Sequence, residues 1–168
     1  MNAPGKKVSV SAEGESSILI TRTFDAPPEL VFDAHTKCEL IKRWLLGPDG
    51  WSMPVCEVDL RVGGKYRYMW KRESTGHEMK MGGEYREIER PEKLVATEKF
   101  DDPWYEGDAV STITLTEANG KTYFRNMITY HSREIRDSVL KSPMEEGVAQ
   151  SYDRLEELLA EKAGFDKS

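Results

Sequence analysis

The stretch that decides the fold is Arg22-Thr-Phe-Asp-Ala-Pro-Pro-Glu-Leu-Val-Phe32, read with Trp44 and Asp59-Leu-Arg-Val-Gly-Gly64. Residues 17–24 before it alternate and are rich in β-branched side chains, so they predict a first strand. Pro27 and Pro28 then open a helix, because the first turn has no use for the missing N–H, and Glu29 suits its positive end. A second short helix is expected over 38–45, with Leu40, Ile41, Trp44 and Leu45 at helical spacing and Gly47-Pro48-Asp49-Gly50 stopping it.

From there the β signals run on. Strands are predicted at 53–60, 65–72, 77–89, 94–100, 109–117 and 121–131. Tyr66, Tyr68 and Trp70 share one face of the second of these. Gly63-Gly64 and Asn119-Gly120 mark hairpin turns. Gly82-Gly83 interrupts the long 77–89 segment and predicts a bulge or bend, which would swap the residues pointing inward beyond it. Residues 101–107 read as a loop carrying Trp104 and Tyr105. A short helix is expected at 133–141. Ser142-Pro143-Met144-Glu145 reads as a capping box, starting a helix with Met144, Val148, Tyr152, Leu155 and Leu159 along one face.

One amphipathic helix against one curved antiparallel sheet is a two-layer α+β domain. Space between the layers can form a cavity. The expected division is a flexible tail at 1–16, a single domain at 17–162 and a C-terminal tail at 163–168.

The 168 residues carry 30 acidic and 24 basic side chains, a net charge of −6, which argues against a dedicated nucleic-acid binder. No apolar run suggests membrane insertion, and the polar N-terminus lacks a signal-peptide core, so the expected location is cytoplasmic. Cys38 and Cys56 match no zinc spacing and are expected to be free buried thiols. His35, His77 and His131 are scattered, so no metal site and no cofactor is expected. No Gly-x-Ser-x-Gly elbow or phosphate cradle occurs.

The chain resembles the START-like superfamily with the helix-grip fold (SRPBCC), and within it the branch of activator of heat-shock-protein-90 ATPase homologues. The residues that carry the likeness are Arg22-x-Phe24-x-Ala26-Pro27 with Val31-Phe32, Trp44, and Asp59-x-Arg61-x-Gly63-Gly64. With them go Gly83-x-Tyr85-x-Glu87 followed by Pro91 and Leu94, and Met144-Glu-Glu-Gly147 followed by Leu155 and Leu158. The likeness spans about residues 18–160. It implies a sheet of six to seven strands wrapped around the long helix, and a link to stress response. Branch members often carry Trp where this chain has Val148 and Leu where it has Tyr152, so the face closing the cavity is altered.

The functional expectation is non-catalytic binding of a small hydrophobic or amphipathic molecule between the sheet and the C-terminal helix. Trp44, Trp51, Tyr66, Tyr68, Trp70, Met79, Met81, Asn126, Met144, Val148 and Tyr152 are the candidate ligand contacts, since apolar walls with a few polar groups typify such sites. Asn126, a polar amide on an apolar face, either orients a ligand or satisfies a neighbour. Two alternatives stand beside this. One is docking to a chaperone or other protein, as an ATPase-activating domain. The other is a cyclase- or hydrolase-like enzyme whose acid or base is Glu78, Glu98 or His77.

Overall fold

The computed structural model describes residues 7–101 and 107–166, with side chains to residue 162. The chain runs β1 (Ser9–Glu13), β2 (Ser17–Phe24), α1 (Pro28–Thr36), α2 (Cys38–Trp44), β3 (Trp51–Val58), β4 (Lys65–Arg72), β5 (Glu78–Glu89), β6 (Lys93–Phe100), β7 (Ala109–Ala118), β8 (Lys121–Thr129), α3 (Arg133–Lys141) and α4 (Met144–Asp166). The strands form one eight-stranded sheet in the order β1-β2-β8-β7-β6-β5-β4-β3. Every neighbouring pair is antiparallel. This is the expected two-layer α+β helix-grip arrangement, with the helices on the concave side.

Side-chain alternation explains which face is buried. On β8, Thr122, Phe124, Asn126 and Ile128 point into the core while their neighbours are more open. Trp44, Phe24, Phe32, Phe124, Ile18, Ile41, Leu155 and Leu159 are the large side chains most completely buried. Arg22, itself buried, ties β2 to the long helix through Asp153 at 2.8 Å.

Four expectations are corrected. Residues 9–13, placed in a flexible tail, form β1 and pair with β2. Val8, Val10 and Ala12 alternate with serines there, a run too short to stand out in a polar segment, and Arg136 on α3 braces the strand by donating to the carbonyls of Glu13, Gly14 and Ser17. Cys38 and Cys56, expected as free thiols, form a disulfide, because α2 packs on β3 and brings their Cα atoms to 5.7 Å. Ser142 does not cap α4 as a capping box would; its hydroxyl donates to the Val139 carbonyl and finishes α3 instead. The fourth concerns the Gly82-Gly83 bulge. The register against β4 runs unbroken through both glycines, and the shift on the β6 side falls between Tyr85 and Glu87.

The expected start of the C-terminal tail at 163 lies within α4, which continues to Asp166. The N-terminal tail before residue 7 and the loop bearing Trp104 and Tyr105 lie outside the described residues.

Gly83 serves close approach rather than bulging: a Cβ there would collide with the Thr97 carbonyl and the Tyr66 ring. The Gly63-Gly64 turn is held to β5, with Gly63 N–H donating to the Tyr85 carbonyl at 2.8 Å and Tyr85 N–H to Gly64 at 2.9 Å. Gly147 on α4 packs against Pro48, which lets the loop after α2 lie flush on the helix. That loop is stitched down by Ser151, Gln150 and Arg154.

Candidate functional site

Between β4–β8 and the helices lies a cavity of about 330 Å³. A second, more open pocket of about 460 Å³ shares a wall with it at Leu45, Trp70, Phe100, Met144, Val148 and Tyr152. Together they run from the core toward the loop after α2. The inner volume sits at the small end of ligand pockets, which span roughly 300–1,000 Å³.

The candidate residues divide between the two. Trp44, Tyr66, Tyr68, Trp70, Met81, Asn126, Met144, Val148 and Tyr152 line the inner cavity. Trp51 and Met79 line only the outer pocket, and Met79 is 37% exposed. The strand register brings the β4 and β5 members together: Tyr68 lies opposite Met81 and Trp70 opposite Met79.

Hydrogen bonds fix several of these rings and use up their donors. Trp44 Nε1 donates to the Ala34 carbonyl at 2.8 Å, Trp70 Nε1 to Leu45 at 2.7 Å, and the Tyr66 hydroxyl to Thr97 at 2.5 Å. The Tyr66 bond takes the Thr97 carbonyl where the β5–β6 pairing skips Gly83 and Glu84, and Glu84 N–H turns to the Thr97 hydroxyl. Tyr152 stacks on Trp44 with ring centres 5.3 Å apart. Asn126 accepts from the Ser111 hydroxyl at 2.8 Å, so half of its amide serves the structure while its residue lines the cavity.

One imidazole and one carboxyl outside the expected contact set also line the cavity: His35 and Glu98. Glu98 points inward with Ala96 and Phe100 by strand alternation, and that signal was present in the sequence. Its open surface faces the cavity, and enclosure by protein raises its carboxyl to about 7, because the charged form loses water. Among the described residues it has no ion pair. His35 is lowered to about 4, chiefly by burial and partly offset by its bond to the Val31 carbonyl. Its neutral ring stacks on Phe124 at 5.3 Å and meets Trp44 edge-on at 4.8 Å. Burial also raises the Tyr68, Tyr85 and Tyr152 hydroxyls, so all three stay neutral.

The other acid/base candidates lie elsewhere. Glu78 is exposed beside Lys80, and His77 sits at the turn before β5, against the Trp51 ring. No group of three or more His, Cys, Asp or Glu residues is placed to hold a metal among the described residues. No described helix is long and apolar enough to cross a membrane. A wider hollow of about 980 Å³ opens between Glu57, Lys65, Arg67, Lys99, Asp101 and Asp108. Within it Arg67 grips Asp101 with both guanidinium nitrogens.

Known proteins share this architecture. The sequence profile of the family described as "Activator of Hsp90 ATPase homolog 1-like protein" matches residues 25–160. A crystal structure of a protein from Rhodobacter sphaeroides is 26% identical, covers 92% of this chain and 99% of its own, and superposes with a TM-score of 0.86. A protein from Chromobacterium violaceum is 28% identical over 86% of this chain and 96% of its own, with a TM-score of 0.75. An HSP90 activator from Plasmodium falciparum is 28% identical over 68% of this chain and 72% of its own, with a TM-score of 0.52. No curated protein matches the chain.

Proposed function

This chain belongs to the Activator of Hsp90 ATPase homolog 1-like family, and from that premise we propose that it binds a small hydrophobic or amphipathic molecule in the cavity under α4, without transforming it. One observation carries the reading. The aromatic residues of this region surround about 330 Å³ of space instead of closing on one another, with their indole N–H groups already bonded to backbone. An apolar ligand there would gain burial at roughly 25 cal/mol per Å² without stripping those donors of partners.

Catalysis finds less support. His35 Nδ1 is committed to the Val31 carbonyl, and its Nε2 is buried with no partner to activate. Of the three acid/base candidates only Glu98 reaches the cavity.

The test is a thermal-shift screen with small aromatic and alkyl compounds, run in parallel on Val148→Trp. Shifts of several degrees are expected for the wild-type chain. The variant, which fills the space from α4 without touching a polar group, should lose them while folding normally. No shift with any compound, or equal shifts in both proteins, rejects the reading.

A second reading, docking to a chaperone, draws on the likeness to the Plasmodium activator. The exposed Leu60 and Val62, 41% and 64% open beside the Gly63-Gly64 turn, offer an apolar contact. It predicts that purified HSP90 retains the chain and that Val62→Asp abolishes retention; no retention by the wild-type chain rejects it.

A further inference from the structure

We propose that the molecule held in this cavity carries a protonated amine, with Glu98 as its counter-ion and the surrounding rings as its apolar clamp. The inference rests on the binding reading above and names the ligand's chemical class.

Among the described residues, Glu98 is the one carboxylate on the cavity walls, and no lysine or arginine lines them. Two buried arginines are engaged elsewhere, Arg22 with Asp153 and Arg136 with the β1–β2 carbonyls. An anionic ligand would meet a carboxylate and no cation. A purely hydrocarbon ligand would leave that carboxyl dehydrated and unpaired, which is costly. A protonated nitrogen removes the cost by supplying the missing opposite charge.

The rings favour the same charge. Trp44 from α2, Tyr68 and Trp70 from β4 and Tyr152 from α4 all border the space. The two indole N–H edges are bonded to backbone, so what these tryptophans can offer is their π faces, which attract cations. Tyr152 adds a hydroxyl that feels the Glu98 charge.

Ionisation follows from the groups that share the cavity walls with Glu98. The titratable ones are Tyr66 and Tyr68 on β4, Tyr85 on β5, Tyr130 after β8, Tyr152 on α4 and His35 on α1, and of these Tyr68 and Tyr152 feel its charge. Burial raises Tyr68, Tyr85 and Tyr152 and lowers His35 to about 4, whereas Glu98 lies near 7 and so changes charge between pH 6 and 8. Below its midpoint an incoming ammonium must first expel a proton, and affinity falls toward tenfold per pH unit.

Three matched probes test this by calorimetry on the purified full-length chain: 2-phenylethylamine, 2-phenylethanol and 3-phenylpropionate. At pH 8 the amine is expected to bind at least tenfold more tightly than the alcohol, and the carboxylate not at all. Lowering the pH to 6 should weaken the amine several-fold and leave the alcohol unchanged, and Glu98→Gln should bring the two to the same affinity. An alcohol that binds as well as the amine in the wild-type chain at pH 8 overturns the amine proposal and keeps the cavity. Absence of binding by both at millimolar concentration overturns the proposal and the cavity reading together. The wild-type comparison and its pH dependence decide the matter even if the variant folds poorly.

Discussion

The interior has a packed end and a hollow end, and both are built of aromatic residues. Under β2 and β8, Phe24, Phe124 and Tyr152 interlock at 5.1 to 5.8 Å between ring centres, with Trp44 and His35 completing a cluster whose Tyr152, Trp44 and His35 also form the near wall of the cavity. Under β4, β5 and β6, Tyr66, Tyr68, Tyr85 and Trp70 sit at 5.0 to 5.7 Å along the sheet, yet face open space. Ring content therefore does not separate core from site. The polar atoms do. At the packed end Arg22 reaches Asp153 and clamps α4 onto the sheet. The hollow end keeps an unpaired carboxyl, Glu98, and an amide half-used by Ser111.

Truncation should expose the contrast most strongly. Phe124→Ala removes a side chain with no exposed surface and should cost about 3–5 kcal/mol, the range for large aromatic truncations in tight cores. Met81→Ala, beside existing space, should cost clearly less than the 2–5 kcal/mol typical of buried Met. Urea denaturation of the two variants measures both, and equal losses would erase the distinction.

Acid should attack the packed end next. The His35 ring is held near 4 in the fold against 6.5 when unfolded, so the unfolded chain takes up the proton first. Its contribution is complete above pH 6.5 and is lost as pH falls toward 4, on the order of 3 kcal/mol. His35→Leu should flatten that part of the stability–pH curve.

At the hollow end the sign reverses. The Glu98 carboxyl is raised from 4.5 to about 7, so the folded chain keeps the proton longer. That stabilising contribution is complete below pH 4.5 and lost as pH rises through about 7. Glu98→Gln should accordingly be neutral in acid and more stable than wild type at pH 8, on the order of 3 kcal/mol. Thermal unfolding at both pH values measures it, and a destabilised variant at pH 8 would contradict the unpaired carboxyl.

Much of this was written in local patterns. Alternation located the strands from β2 to β8, and the Pro27-Pro28 and Asn119-Gly120 signals marked a helix start and a hairpin whose two turn residues have φ of 55° and 77°. What escaped depends on distant partners. β1 is short, with only Val8, Val10 and Ala12 in alternation, and it is held as a strand by β2 and Arg136. Cys38 and Cys56 pair because α2 settles on β3. Ser142 answers to Val139 behind it rather than to α4 ahead. The aromatic and methionine residues that line the two pockets were legible as a set, whereas the sequence left Glu98 beside Glu78 and His77 as an equal candidate, and only the folded register of β6 places it on the cavity wall.

The central claim is that the space under β4–β6 receives a ligand whose charged end meets Glu98. A crystal structure of the chain grown with 2-phenylethylamine at pH 8 tests it most directly. The account predicts the ring between Trp70, Met81 and Tyr152 and the nitrogen within hydrogen-bond distance of the Glu98 carboxylate. Side chains collapsed into that space, or an amine found only outside it, would contradict the account.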